Sequence, residues 1–336
     1  MTKLVAVIEG DGIGREVIPA AVEVLKATGA PLTFEWGEAG FETFIRRGTS
    51  VPKETLELAK RADAVLFGAT SSPTRPTPGY QSAIRVLRRE LGLYLNVRPA
   101  RHLPVPRSRE GVDLVIVREN SEGLYVGAER RYGQVAIADR VITYEASLRA
   151  ARYAFELAKG RKRRLTAVHK ANVLPLSDGL FLEAVADAAA DYPEVTLEES
   201  IVDATAAKLV LEPERFDVLV MENLYGDILS DLTAALVGGL GLAPSANIGE
   251  RHALFEPVHG SAPDIAGKGV ANPTAAILSG AMLLAHLGFE KESKKVEAAV
   301  ERTLAAGVLT PDLGGSASTR EFTQHVVVTL QKGVLP

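Results

Sequence analysis

The chain has 336 residues, 46% of them hydrophobic and 24% charged, with a formal net charge of -4 at pH 7. That length and apolar content allow a large buried core, for which two domains are the expected arrangement, while the small negative balance argues against a nucleic-acid footprint spread over a whole face. Cysteine is absent, which excludes disulfides, thiolate metal sites and thiol nucleophiles and suits a reducing cytoplasm.

In chain order, the first apolar run, Leu4 to Ile8, reads as a strand; it is too short for a signal-peptide core and is broken by Glu9. GDGIG at Gly10 to Gly14 follows as a tight strand-to-helix turn. Its G-x-G-x-G spacing, with no acidic residue closing a clear second strand about 20 residues later, argues against a true dinucleotide fingerprint. After a second strand at Ala64 to Phe67, QSAIRVLRREL (Gln81 to Leu91) has helical spacing, with Ile84, Leu87 and Leu91 toward the core. Arg85 and Arg88 are i, i+3 neighbours on the other side; Arg89 reads as solvated.

Three prolines in Pro99 to Arg109 interrupt regular structure and mark one crossing between domains. Leu114 to Val117 is a further strand, and Gln134 to Tyr144 is a weakly alternating, β-rich segment. The basic run KGRKRR (Lys159 to Arg164) lies between a helical pattern and the strand Leu165 to Val168, so a solvated connecting loop is expected. Beyond the strand Val218 to Met221, NLYGDILSDLTAALV has helical spacing that stacks Asp227 and Asp231 on one face, with Ile228, Leu229 and Leu232 turned inward. Such a pair is either a solvated acidic face or, partly buried, a site for a hard cation such as Mg²⁺ or Mn²⁺. Histidine spacing suggests no zinc site. Val237 to Ser245 (VGGLGLAPS) marks the second crossing, so the outer domain is expected to be discontinuous, with a cleft between the two.

The last informative stretch is FEPVHGSAPDIAGKGVANPTAAILS, Phe255 to Ser279. Gly260, Ala262, Gly267 and Gly269 allow close backbone approach to a flat or phosphorylated ligand, and Asp264 offers the acceptors a ribose diol needs. Asn272 is placed to cap a helix with Pro273 at its first position. That helix, Ala275 to Leu287, is too short for a membrane crossing and reads as buried core. Alternating short strands and longer helical patterns indicate an α/β fold with a largely parallel sheet.

EGDGIG (Glu9 to Gly14), RENSEGLY (Arg118 to Tyr125), HKANVL (His169 to Leu174), GDILSDL (Gly226 to Leu232) and the 255–279 loop occur in the order and spacing found in the β-decarboxylating dehydrogenases. The chain resembles this family of isocitrate, homoisocitrate and 3-isopropylmalate dehydrogenases over essentially its whole length. The resemblance implies an isocitrate/isopropylmalate dehydrogenase-like fold, with two α/β domains and a large mixed parallel sheet, not a true Rossmann fold. Residues 1–99 and 238–336 would form a discontinuous cofactor-binding domain, and 100–237 a substrate, metal and dimerisation domain with a β arm near 134–144 that pairs between subunits.

The resemblance also assigns roles. Tyr125 and Lys170 would be the catalytic acid and base; neither stands out unaided, since a lone Tyr is usually core and a lone Lys usually surface. Ser72, Arg85, Arg88, Arg98, Arg118 and Asn172 would join them in binding substrate, the arginines as carboxylate clamps suited by their planar forks. Asp227, Asp231 and a neighbouring subunit's Asp203 would hold Mg²⁺ or Mn²⁺, and Lys170 would likewise act in the neighbour's cleft, giving a homodimer with shared active sites or a tetramer of such dimers. Ile13, Ala69, Thr70, Glu256, His259, Gly260, Ser261, Ala262, Asp264, Ile265 and Asn272 would bind the cofactor. Asp264 with Ile265 favours NAD, because a carboxylate repels a 2′-phosphate and NADP-using relatives carry Lys and Tyr there.

The reaction implied is oxidation of a 2-hydroxy acid followed by loss of its β-carboxylate. RENSEGLY is closer to the isocitrate and homoisocitrate branches than to the isopropylmalate branch, and Arg85 stands where isopropylmalate enzymes place an apolar residue. Gln81 departs from the isopropylmalate pattern, which has Glu. Homoisocitrate is therefore the expected substrate, with isocitrate also accepted, implying lysine biosynthesis through aminoadipate. 3-Isopropylmalate is the alternative, and tartrate or malate more distant ones. A catalytically dead regulatory subunit is disfavoured because the Tyr, the Lys and all three carboxylates are present. No nucleic acid or membrane partner is expected, and the location implied is cytoplasmic.

Overall fold

The computed structural model describes residues 2–75 and 77–333. The chain begins with β1 (Lys3–Gly10), α1 (Gly14–Ala27), β2 (Leu32–Gly37), α2 (Phe41–Arg47), α3 (Lys53–Arg61), β3 (Ala64–Ala69) and α4 (Ala83–Glu90). It continues through β4 (Leu93–Arg101), β5 (Asp113–Glu119), β6 (Glu129–Tyr132), β7 (Val135–Ala138), α5 (Tyr144–Lys159), β8 (Arg164–His169), α6 (Ser177–Ala189), β9 (Thr196–Ile201) and α7 (Val202–Leu211). The remaining elements are β10 (Val218–Met221), α8 (Asn223–Leu236), β11 (Pro244–Gly249), β12 (Ala253–Pro257), α9 (Thr274–His286), α10 (Glu290–Ala305) and α11 (Thr319–Gln331).

The chain divides into two compact units, one made of Met1–Leu93, Leu103–Ser108 and Gly238–Pro336, the other of Tyr94–His102 and Arg109–Val237. The first break falls earlier than the proline-based reading placed it. β4 pairs antiparallel with β5 from Leu95 to Arg101, so Pro99 lies inside a strand, opposite Val115. A proline is tolerated there so long as its nitrogen is not asked to donate to the ladder.

In the first unit the strand order is β2-β1-β3-β12-β11. β1 runs parallel to both β2 and β3, β3 is parallel to β12, and β11 and β12 form an antiparallel pair. Every residue of β3 is buried, as expected of a parallel strand covered on both faces. Val65, Phe67, Ala6 and Ile8 build one core cluster with Leu87 and Leu91. α9 is apolar around its circumference and buried along most of its length, which is why it packs as core. The helix is assigned from Thr274 with Pro273 at its N-cap, one residue later than the sequence indicated; Asn272, just before it, accepts the Thr274 N–H on Oδ1 at 3.0 Å.

The second unit has the order β4-β5-β10-β8-β9, with β5, β10, β8 and β9 mutually parallel and β4 antiparallel to β5. Leu114, Ile116, Val168, Leu219, Met221 and Leu229 lie in its core cluster. The expected arm is a separate hairpin of β6 and β7, displaced toward the N-terminus from 134–144. Its first strand, ERRY, is too charged to read as β from sequence, and Tyr144 already opens α5, capped by Thr143.

The basic run is not wholly solvated. Arg161 donates to Asp217 at 2.7 Å and Asp113 at 2.9 Å, and the Asp217 side chain is fully buried, so this one arginine neutralises a buried carboxylate. No helix among the described residues is long and apolar enough to cross a membrane.

Candidate active site

The second unit gathers Tyr125, Arg98, Arg118 and the acidic pair. α8 is helical across the whole GDILSDL stretch, so Asp227 and Asp231 share a face as their spacing requires. The inward face is narrower than expected: Leu229 is buried, but Ile228 is 59% exposed. Arg118 comes from the end of β5 and is itself buried. Its Nε and Nη2 donate to Asn223 Oδ1 at 2.9 and 2.7 Å, and its Nη1 donates to Asp227 Oδ1 at 2.5 Å. Arg98, from β4, donates to Asn96 at 2.6 Å, Ser230 at 2.8 Å and Asp231 at 3.1 Å, and its guanidinium lies 3.6 Å from Asp227. Two arginines thus balance two carboxylates.

Tyr125 joins the same cluster. Its hydroxyl donates to Asp227 Oδ2 at 2.5 Å, and the Arg118 guanidinium sits 5.0 Å from its ring centroid. Burial, then the hydrogen bond to Asp227, raises the Tyr125 pKa, so the phenol holds its proton. Burial also raises Asp231, against the opposing pull of Arg98.

Lys170 follows β8 and its ammonium pairs with Asp203 of the same chain, at the start of α7. That hydrogen bond from Lys170 is the largest cause holding the exposed Asp203 carboxyl below its ordinary pKa. Asn172 is exposed two residues on. Among the described residues no three His, Cys, Asp or Glu side chains converge to hold a metal, so one chain does not assemble the expected three-carboxylate set. Asp227 and Asp231 supply the hard oxygen donors that suit Mg²⁺ or Mn²⁺, and in donor chemistry they fit such an ion.

The first unit holds the expected cofactor residues. Gly10 and Gly12 both have positive φ, and a Cβ at Gly12 would stand 2.1 Å from the Ser261 carbonyl oxygen. The turn and the loop therefore touch: Ile13 N–H donates to Ser261 O at 2.9 Å, and Ser71 and Ser261 hydroxyls bond at 2.8 Å. Ala69 closes β3, and its carbonyl accepts from Asp11 N at 2.7 Å; Thr70 and Ser72 continue into the following loop. Gly260, Gly267 and Gly269 have open space where a Cβ would be, while Asp264 is exposed and Ile265 half-buried beside it.

His259 tests whether a ligand fits this loop. Its Nδ1 is 3.0 Å from Gly260 O, so it must be the donor, and burial lowers the ring's pKa and favours the neutral form. Nε2 is then a buried acceptor with no hydrogen-bond partner. An acceptor without a partner in this glycine-rich loop suits a hydroxyl- or amine-bearing ligand such as a nucleotide.

Arg88 and Glu256, assigned to substrate and cofactor respectively, are engaged with each other at 3.0 Å, and Arg88 also donates to Asn247 Oδ1 at 2.9 Å. Arg85 lies on the exposed side of α4, and Arg89 is exposed beside Glu90 and Gln81. Several supporting residues carried no sequence signal. Asp11 is buried and accepts the N–H groups of Phe41, Glu42 and Ser71 at 2.7, 3.0 and 2.9 Å. Asn223 and Asn247 hold arginines from within the core, and only their polarity amid apolar neighbours could have marked them.

Tyr125, two arginines and a paired carboxylate on one α/β unit, with a glycine-lined loop on the other, are features of a dehydrogenase. The family model described as isocitrate/isopropylmalate dehydrogenase matches residues 4–326, and the chain belongs to that family. It is 62% identical to the isocitrate/homoisocitrate dehydrogenase of Thermus thermophilus, over 98% of this chain and 99% of that one. It is 52% identical to the 3-isopropylmalate dehydrogenase of Archaeoglobus fulgidus, again over 98% and 99%. Isocitrate dehydrogenase from Methylococcus capsulatus superposes with a TM-score of 0.93 at 42% identity, covering 98% of this chain and all of that one.

Proposed function

We propose that this dehydrogenase oxidatively decarboxylates homoisocitrate to 2-oxoadipate and accepts isocitrate as well, using NAD with Mg²⁺ or Mn²⁺, in the cytoplasm and in lysine biosynthesis. The observation that carries the reading is the convergence of Arg98, Arg118 and Tyr125 on Asp227 and Asp231. Arg98 and Arg118 clamp substrate carboxylates. Lys170 Nζ takes the proton of the substrate hydroxyl. Tyr125, kept protonated by burial, returns a proton to the carbon that loses CO₂. Asp227 and Asp231 would hold a divalent cation that would supply stabilisation of negative charge, and the 255–279 loop would hold a nicotinamide cofactor that would supply the hydride acceptor.

Asp264 and Ile265 support NAD over NADP, since an exposed carboxylate repels a 2′-phosphate. The catalytic reading requires a homo-oligomer in which Lys170 and Asp203 serve a neighbouring copy. Exposed apolar side chains on the β6–β7 hairpin (Tyr132, Val135) and around α7 and α8 (Leu211, Ile228) support such an assembly. 3-Isopropylmalate is the second reading, favoured by the Archaeoglobus relative at 52% identity.

Steady-state kinetics of the purified protein decide between them. Homoisocitrate, isocitrate and 3-isopropylmalate are compared with NAD and NADP, before and after chelation and Mg²⁺ replenishment. A higher kcat/KM for homoisocitrate with NAD, lost on chelation, is expected. A preference for 3-isopropylmalate overturns the substrate assignment.

A further inference from the structure

Between the hairpin and α5, Arg140 lies mostly buried against four side chains that the reaction described above does not use. Its Nη1 donates to Asp178 Oδ1 at 2.5 Å and to Ser177 Oγ at 2.9 Å. Its Nη2 is 3.6 Å from Glu222 Oε1, and its guanidinium lies 5.2 Å from the Tyr225 ring centroid. Asp178 and Glu222 are almost fully buried, with side-chain exposures of 2% and 4%. Each carboxylate then reaches backbone. Asp178 Oδ2 accepts the Lys170 N–H at 2.5 Å, and Glu222 accepts Leu224 N and Tyr225 N at 3.1 and 2.9 Å, capping α8.

Burying two carboxylates against one arginine is a weak source of stability, because desolvation offsets much of the attraction and an apolar set would serve as well. What an apolar set lacks is a directed acceptor. Asp178 stands in the first turn of α6, where an acidic residue ordinarily faces its own helix N-terminus, yet it reaches back to the residue after β8. The Lys170 carbonyl meanwhile accepts from Val173 and Leu174, both at 2.9 Å. Both backbone groups of Lys170 are therefore held, and so is the origin of its flexible stem.

We propose that Arg140 and Asp178 are positioning residues that fix the backbone of Lys170 for proton transfer and, through Glu222, lock it to the start of the helix that carries Asp227 and Asp231. The inference rests on the reading of Lys170 as the base. The fixing occurs within the chain that carries the lysine, whichever copy's substrate it meets.

The test compares Asp178→Asn, Arg140→Met, Arg140→Lys, Lys170→Met and the double variant Lys170→Met/Asp178→Asn. Asparagine keeps the volume of Asp178 but cannot present acceptors to both Arg140 and Lys170. Misplacing the base should lower kcat by roughly 10- to 100-fold with KM for the hydroxy acid little changed. Arg140→Met should behave alike and Arg140→Lys should recover most of the loss. If Asp178 acts through Lys170, the double variant is no slower than Lys170→Met alone. Additive losses, or a change confined to KM or melting temperature, overturn the positioning role. Should Asp178→Asn fail to fold, the Arg140 pair decides on the same kcat criterion. Wild-type kcat in Lys170→Met overturns the base reading itself, a result distinct from additive losses on a slow Lys170→Met background.

Discussion

Gly226 is a tight point beside Arg118 and Asp227. It is buried in α8, and a Cβ placed there would lie 2.5 Å from Arg118 Cγ and 2.6 Å from Arg118 Cβ. Ordinary carbon contacts need about 3.5–4.0 Å, so Gly226→Ala demands a movement of about 1 Å. Arg118 cannot supply it easily. Its backbone is in register with Met221 of β10 and Asn96 of β4, and its guanidinium is tied to Asn223 and Asp227. The helix must shift, carrying Asp227 with it.

Two effects oppose each other in this variant. Replacing glycine by alanine inside a helix ordinarily gains about 1 kcal/mol, whereas overpacking a rigid site costs about 1–3 kcal/mol, so a modest net loss of stability is expected. Activity should suffer more: displacing a clamp or ligand by about 1 Å can lower turnover by about 10²-fold. Thermal unfolding and steady-state kinetics on the same preparation check both. Gly179→Ala is the contrast, because Gly179 lies in α6 with nothing within 4 Å of the added methyl. It should gain about 0.5–1 kcal/mol without altering turnover. If Gly226→Ala proves as active as wild type and gains stability like Gly179→Ala, the close packing of α8 on Arg118 is not what organises the site.

Arg85→Val should lower kcat/KM for homoisocitrate and isocitrate by tens- to thousands-fold, since stranding a desolvated carboxylate costs about 2–5 kcal/mol, while 3-isopropylmalate turnover rises; equal weakening of all three substrates would remove Arg85 as discriminator. Asp264→Lys with Ile265→Tyr should shift kcat/KM from NAD toward NADP, and an undiminished NAD preference would refute the ribose role of Asp264. Lys170→Met and Tyr125→Phe, each inactive alone, should regain activity when their subunits are exchanged, because one site of the heterodimer then holds both groups; confirmed exchange without recovery means that each site is built from one chain. Burial, then Asp178, pushes Tyr225 from 10.0 up to about 12, so its neutral form contributes stability that is complete below pH 10 and is lost as pH climbs toward 12. Tyr225→Phe should flatten that alkaline fall in melting temperature, and identical slopes for the two proteins would contradict it.

What could be read from the sequence was what repeats locally. β1, β3, β5, β8 and β10 stand out as short apolar runs because their residues are buried on both faces, and α8 declares itself by the four-residue spacing of Asp227 and Asp231. The loop from Phe255 to Ser279 was legible for a different reason: its glycines and its Asn-Pro pair before α9 report backbone requirements that no packing partner has to supply. The arm was legible only in its apolar half, since β6 is recruited into its hairpin by β7 and not by any β-propensity of ERRY.

The supporting shell left no such trace, and the cause is sequence distance. Arg118 and Asn223 are 105 residues apart, Arg88 and Asn247 are 159 apart, and Asp178 meets Arg140 across 38. A polar side chain in an apolar neighbourhood says that a partner exists but not which one. Local rules can even mislead: an aspartate opening a helix points to that helix's own N-terminus, and only the folded chain shows Asp178 turned to the backbone of Lys170. Resemblance has the complementary blind spot. It marks Lys170 and Tyr125, which no local pattern distinguishes, but it is silent about what holds them. The burial that keeps the Tyr125 phenol protonated, and the arginine that pairs with Asp178 beside Lys170, are properties of a packed environment. They can be removed without touching Lys170 or Tyr125, so variants of Asp178 and Gly226 separate the proposed chemistry of the site from the scaffold that aims it.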